Sequence, residues 1–251
     1  MATVTLLETI GLSKNFEGLQ AVDDVELVIP AGEIRAVIGP NGAGKTTLVS
    51  LVSGRLKPTQ GSIRFKGEDI TGLRAWDRVG RGIVYTFQVT SIYANLSCYE
   101  NVALAVQRRM MGGLRDRLVL AEERVTKGIE LALSRVGLAD EMHRQAGELP
   151  YGHQRLLEVS MGLALEPELL ILDEPTQGLA LEEISGFCDL IRAISKRATV
   201  LLIEHNMSVV LELAELITVM DKGMVIAEGT PSEIERDPVV QRAYLGTDAA
   251  A

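Results

Sequence analysis

The sequence predicts an α/β protein with a mostly parallel sheet, an antiparallel subsheet beside it, and a helical block inserted into the parallel part. Three observations predict this. Short apolar runs of strand length at Leu169 to Leu172 and Val200 to Ile203 alternate with helical stretches, as strands buried on both faces of a parallel sheet do. The first 65 residues alternate extended runs with turns, the pattern of antiparallel strands. Between about Leu96 and Gly147 apolar residues recur at spacings of three and four with charges between them, the pattern of amphipathic helices.

Taken in order, Val4 to Leu12 and Ala21 to Ile29 read as strands, and Pro30-Ala31-Gly32 is a turn leading into the buried strand Glu33 to Ile38. A helix begins over Thr47 to Val52. The turn-rich Lys57-Pro58-Thr59-Gln60 precedes a short strand at Gly61 to Phe65. Tyr99 to Met110 and Leu118 to Arg135 are expected helices, with Arg108, Arg109, Arg115, Arg117, Glu122, Glu123 and Arg124 forming a solvated face. Leu156 to Leu165 and Leu181 to Lys196 are helical, each followed by one of the buried strands. Thr230-Pro231-Ser232-Glu233 is a capping box with proline at the first helical position, starting a short helix toward Asp237. Ala249 to Ala251 reads as a frayed tail. The expectation is one domain over 1–251, with a core of about 1–95 and 156–251 interrupted by a helical subdomain at about 96–155.

The strand ending at Ile38 runs into Gly39-Pro40-Asn41-Gly42-Ala43-Gly44-Lys45-Thr46-Thr47, which fills the pattern G-x-x-x-x-G-K-[ST]. Glycines let the backbone fold tightly enough to aim successive N–H groups at phosphate oxygens with no Cβ in the way. Lys45 adds a charge at the outer phosphates, Thr46 offers a hydroxyl to Mg²⁺, and the helix adds its positive end. The context of strand, loop and helix makes this a nucleoside triphosphate site on a phosphate-loop, RecA-like core. Leu169 to Pro175, Leu-Leu-Ile-Leu-Asp-Glu-Pro, ends a buried strand in two carboxylates. At that end of the sheet Asp173 can hold Mg²⁺ directly or through water, and Glu174 can polarise a water for attack on the γ-phosphate. Read alone, such a pair is more often a helix cap or a solvated corner, and the phosphate loop upstream reverses that reading.

Composition sets limits. With 251 residues, 47% hydrophobic and 24% charged, the chain can bury a large core, and only 4% aromatic residues makes that core aliphatic. A net charge of −9 argues against a broad nucleic-acid surface, though not against a local basic patch. Cys98 and Cys188 have neither disulfide-framework nor zinc-site spacing, as expected of a reducing cytoplasm. Met1 to Leu12 lacks a signal-like start, and no apolar stretch approaches the ~20 residues of a membrane span.

Glu33 to Thr47, Leu149 to Leu156, Leu169 to Pro175 and Ile203 to Asn206 resemble, in that order, the conserved elements of ATP-binding cassette (ABC) transporter ATPases. The resemblance runs nearly from end to end. It implies that Phe16 stacks on adenine, that Gln88 contacts Mg²⁺ and the attacking water and senses a membrane partner, and that His205 reaches the γ-phosphate. By residue type alone these three are a core phenylalanine, a surface glutamine and a structural histidine. The family's Leu-Ser-Gly-Gly-Gln signature is replaced by Leu149-Pro150-Tyr151-Gly152-His153. In the family this segment binds the γ-phosphate held by a second cassette. Gly152 is kept, but Pro150 has neither a hydroxyl nor an N–H to give. Ala180 stands where many members have an aspartate that tunes communication between the two sites.

Tyr151, Pro175-Thr176-Gln177-Gly178-Leu179 and the ending from Asp237 to Gly246 look like the ATPase subunits of branched-chain amino acid uptake. The resemblance implies an ATP-hydrolysing translocase subunit, peripheral at the cytoplasmic face of the inner membrane. Its implied partners are a second cassette, in a homo- or heterodimer, transmembrane permeases docking near Val89 to Leu96, and, indirectly, a secreted solute-binding protein. Importers of urea or amides share this branch. A regulatory subunit with weak hydrolysis, a soluble phosphate-loop kinase and a ribosome- or DNA-acting ABC protein are the competing readings.

Overall fold

A computed structural model describes residues 4–86, 91–110 and 122–245. Among them, an antiparallel sheet is formed by β1 (Thr5–Phe16), β2 (Leu19–Pro30), β4 (Gln60–Phe65) and β5 (Glu68–Asp69) in the order β2-β1-β4-β5. The second sheet holds β3 (Ile34–Ile38), β6 (Ile83–Thr86), β7 (Leu169–Asp173), β8 (Thr199–Ile203), β9 (Leu216–Asp221) and β10 (Met224–Gly229) in the order β10-β9-β3-β8-β7-β6. All its pairs are parallel except β10 with β9. The helices are α1 (Lys45–Val52), α2 (Ala75–Val79), α3 (Cys98–Met110), α4 (Glu122–Arg135), α5 (Tyr151–Ala164), α6 (Leu181–Ser195), α7 (Met207–Leu213), α8 (Pro231–Arg236) and α9 (Pro238–Leu245). Both expected sheets and the helical insertion are therefore present, with α3, α4 and α5 packed on one another.

The apolar strands split by alternate residues, as the two-residue strand period dictates. Leu170, Leu172, Val200 and Leu202 face the core under the helical block, with Val102, Leu133, Leu157 and Ile191. Leu169, Ile171, Leu201 and Ile203 face the opposite core, where α1 packs through Leu48 and Leu51 against β1 and β2. A third cluster joins Ile38, Ile217 and Val219 to Val210, Ile234 and Val240 of the C-terminal helices. Cys98 and Cys188 are both free and buried. Among the described residues no helix is long and apolar enough to cross a membrane.

Two buried arginines sit where the sequence showed only polar interruptions. Arg35, 1% exposed in the middle of the sheet, donates to Glu33 (2.6 Å), Glu228 (2.6 Å) and Thr218 (3.1 Å), so the polar residues of an otherwise apolar strand satisfy one another. Arg78 of α2 reaches the carbonyls of Leu51 and Val52 at the end of α1, both at 2.7 Å, and those of Thr71 and Leu73. It closes the C-terminus of the phosphate-loop helix, whose last carbonyls have no partner within the helix. Burial pushes its guanidinium down to about 10, so it remains cationic at neutral pH.

Some boundaries differ from expectation. β1 continues to Phe16 by absorbing register shifts near Leu12. α5 begins at Tyr151, not Leu156, because its first turn buries Gly152 and Arg155 where periodicity expects apolar side chains. α4 is described from Glu122, so the expected start at Leu118 lies outside the described residues. Of the expected solvated face, Arg108, Glu122, Glu123 and Arg124 are exposed, the partly exposed Arg109 pairs with Glu166, and Arg115 and Arg117 lie outside the described residues.

Candidate functional site

β3 delivers the chain to Gly39, and the loop turns back through Gly42 and Gly44 before α1 starts at Lys45. The outer glycines are required by contact as well as by dihedral angle. A Cβ on Gly39 would lie 2.1 Å from the Met220 carbonyl oxygen, and one on Gly44 2.3 Å from that of Ala21. The Lys45 ammonium is drawn inside the loop, donating to the carbonyls of Gly39 (2.6 Å) and Pro40 (3.0 Å). Burial lowers its pKa, opposed by the carboxylates of Glu174 and Asp173. A cleft of about 630 Å³ is lined by Asn41, Gly42, Ala43, Gly44, Lys45, Thr46 and Thr47 together with Phe16 and Glu174. Phe16 ends β1 with 41% of its surface exposed, and the Lys14 ammonium lies 5.0 Å from its ring centroid. A flat aromatic face beside a run of phosphate-loop N–H groups suits a base joined to phosphates.

Asp173 closes β7 at 1% exposure. Its Oδ2 accepts from the Tyr85 hydroxyl of the neighbouring β6 at 2.7 Å, while its Oδ1 is buried without a hydrogen-bond partner. Burial raises the Asp173 pKa, reinforced by Glu174 and opposed by the Tyr85 bond. The Tyr85 phenol is itself pushed up by burial and by Asp173, and the Arg55 guanidinium lies 4.9 Å from its ring centroid. Glu174 holds a left-handed backbone angle, φ 48°, which few side chains adopt and which turns the chain sharply at the strand tip. Its N–H donates to the Ile203 carbonyl at 2.8 Å, anchoring the turn to β8. His205 follows β8 with an exposed side chain, its Nδ1 3.9 Å from Glu174 Oε1, too long for a hydrogen bond. The two candidate groups for water activation and phosphate sensing thus face each other from adjacent strand ends.

The altered signature lies elsewhere. Pro150 is the residue before α5, with no side-chain cap, and Gly152 is buried beneath α6, where a Cβ would come 2.2 Å from Glu183 Oε1. Tyr151 packs on Gly178, at which a Cβ would lie 2.8 Å from the ring. Two features that looked like separate subfamily habits are one contact. Arg155 of α5 donates to the Glu174 carbonyl (3.4 Å) and to Glu158 (3.0 Å), tying the signature helix to the acidic turn. Gly152 and His153 line a different cleft, of about 410 Å³, with Leu179 and Glu183. Ala180 precedes α6 and its N–H donates to Glu183 (2.8 Å). Gln88, with Phe87 and Val89, lies outside the described residues.

Sequence reasoning assigned no role to Tyr85 or Tyr244. Tyr85 alternates with core residues on a strand and signals nothing alone. Tyr244 belongs to the ending that looked like a subfamily habit. It packs on the cluster holding Ile38, and its half-buried phenol, pushed up to about 12 by desolvation, makes a hydrogen bond with the Gly39 backbone. The C-terminal helix α9 thus reaches the first glycine of the phosphate loop.

Comparison with known proteins agrees with this arrangement. The family model described as ABC transporter matches residues 22–177, and that described as branched-chain amino acid ATP-binding cassette transporter matches residues 224–250. The chain is 37% identical over 249 residues to the high-affinity branched-chain amino acid transport ATP-binding protein LivG of Salmonella typhimurium, covering 96% of this chain and 98% of that one. It is 38% identical over 251 residues to BraF of Pseudomonas aeruginosa, with the same coverage. Among solved structures, the ADP conformation of MJ1267, an ATP-binding cassette of an ABC transporter, matches with a TM-score of 0.85 at 30% identity, covering 97% of this chain and 100% of that one. The chain belongs to the ABC transporter family as an ATP-binding cassette, and it is an ATPase.

Proposed function

We propose that this cassette powers uptake of branched-chain amino acids or of a related small polar solute. The observation that carries the reading is the C-terminal segment. Residues 224–250 match the branched-chain cassettes, and within that segment Tyr244 meets Gly39, so the part that distinguishes the branch touches the nucleotide loop. LivG and BraF, named for branched-chain amino acid transport, support it along nearly the whole chain. The test is uptake of radiolabelled leucine, urea and acetamide by cells carrying this cassette with the permeases encoded beside it. Leucine uptake lost with Lys45→Ala supports the reading. Uptake of urea or acetamide alone moves the protein to another solute.

The residues divide the work of hydrolysis. Loop N–H groups and Lys45 hold the phosphates, Phe16 stacks on the base, and Glu174 takes the proton of the attacking water as its oxygen bonds to the γ-phosphorus and the bond from that phosphorus to the β–γ bridging oxygen breaks, releasing ADP and phosphate. His205 donates to the γ-phosphate and stands against Glu174, so its position reports whether that phosphate is present. The donor set fits Mg²⁺, for Asp173 Oδ1 is a buried acceptor without a hydrogen-bond partner and Thr46 lies in the first turn of α1. When bound, that ion would supply positive charge to the phosphate oxygens, and Gln88 would be a further ligand by the family resemblance.

Two cassettes complete each other's sites in this reading. The signature residues Gly152 and His153 line a cleft separate from the phosphate-loop cleft, and in this reading Gly152 serves a partner's nucleotide. The permease docks in the groove of about 460 Å³ between the end of β6 and helices α3 and α5, where Tyr93 and Leu104 are exposed. In this reading the chain works at the cytoplasmic face of the membrane, and a secreted binding protein delivers solute from the other side.

Pro150→Ser is expected to raise turnover at the site this signature completes by roughly 5- to 150-fold, the worth of one restored donor at ~1–3 kcal/mol. Serine there also supplies the missing cap of α5. Steady-state hydrolysis by the assembled transporter measures it. An unchanged rate removes the proline from the account of this site.

A further inference from the structure

Glu204 ends β8 immediately before His205 and is completely buried. Its carboxylate has no cationic partner among the described residues and is satisfied by neutral donors on two different turns. Oε1 accepts from the Thr176 N–H at 3.0 Å and from the Thr176 hydroxyl. Oε2 accepts from the N–H groups of His205 (3.0 Å) and Asn206 (3.2 Å). Thr176 lies two residues beyond Glu174, so one carboxylate fastens the turn bearing Glu174 to the turn bearing His205. A buried anion is costly unless its lone pairs are filled, and a fold that needed only packing here would be served by an apolar side chain.

We propose that Glu204 is a positioning residue for ATP hydrolysis, holding the Glu174 carboxylate and the His205 imidazole at their mutual spacing of 3.9 Å. Its grip on Thr176 extends the effect. The same turn continues to Gly178, which packs on Tyr151 at the start of α5, so one buried acid connects His205, Glu174 and the signature helix. The proposal rests on the hydrolytic roles given to Glu174 and His205. It accounts for a fully buried acid beside the exposed histidine, for which nucleotide contact gives no reason.

Glu204→Gln keeps the shape but turns one acceptor into a donor facing N–H donors. In the assembled transporter kcat is expected to fall 10- to 100-fold, while affinity for a fluorescent ATP analogue stays within threefold. Thr176→Val, which deletes only the hydroxyl, should lower kcat 3- to 10-fold, and Thr176→Ser should restore it. The chain has three histidines, so the His205 imidazole resonance can be assigned with His205→Gln and followed without nucleotide. It should shift in Glu204→Gln and in Thr176→Val. A wild-type kcat in folded Glu204→Gln overturns the proposal, as does a loss of affinity that accounts for the loss of rate. If Glu204→Gln does not fold, an unmoved resonance and unchanged kcat in Thr176→Val overturn it equally. A wild-type chain that hydrolyses no ATP sinks the hydrolytic reading instead, and the resonance still tests whether Glu204 places His205.

Discussion

Glu174→Gln is expected to lower steady-state ATP hydrolysis by roughly 10²- to 10⁴-fold, the usual contribution of a positioned general base, while leaving ATP binding intact. Glutamine matches the carboxylate in size and keeps the side chain at the mouth of the phosphate-loop cleft, but it takes no proton from water. The turn should survive, because the N–H of residue 174 still bonds the Ile203 carbonyl and the neighbouring Thr176 is still held by Glu204. The cassette should therefore bind ATP and stall. Single-turnover hydrolysis together with retention of labelled ATP checks both halves. A regulatory subunit would show no change in either, which separates that reading from an ATPase through this one residue. Alanine is the poorer probe, since it empties a site at an already strained φ of 48° and confounds geometry with chemistry.

The legible parts of this protein are those whose constraints are local. Gly39 and Gly44 announce themselves because Met220 and Ala21 backbone oxygens leave no room for a Cβ, and Lys45 and Thr46 follow within one helical turn. Asp173 and Glu174 are legible because a run of buried aliphatic residues has to end where they begin. β9 and β10 carry weaker signals: β9 begins and ends with only partly buried residues, and β10 is mostly half-buried. The start of α5 is disguised by Gly152, His153, Gln154 and Arg155, whose burial depends on Glu183, Tyr151 and Glu174 rather than on periodicity. Glu204 is the extreme case. In sequence it is one charge after a strand, and its meaning comes from Thr176, 28 residues away on another turn. Tyr85 and Tyr244 are similar, since each acts through a partner that no spacing rule connects to it.

Arg78→Met is expected to destabilise the chain by about 1–4 kcal/mol, because the Val52 carbonyl loses its donor at a cost of ~1–3 kcal/mol, the Leu51 carbonyl keeps only the Gly54 N–H, and the carbonyls of Thr71 and Leu73 lose the guanidinium as well. Methionine fills most of the volume, so a cavity contributes little, and relief from burying a cation offsets part of the loss. Arg78→Lys should recover less than half, because an ammonium cannot span carbonyls from residues 51, 52, 71 and 73 as a guanidinium fork does. Urea unfolding with and without saturating ATP separates two consequences. If Arg78 only closes the end of α1, the stabilisation conferred by ATP should be the same in variant and wild type, for ligand linkage depends on affinity in the folded state. If the strain runs along the helix to Lys45 and Thr46, that stabilisation should shrink. The second outcome is favoured, since α1 spans only Lys45 to Val52 and its two ends are about two turns apart. Its C-terminal clasp and its phosphate-binding end then belong to one short rigid body.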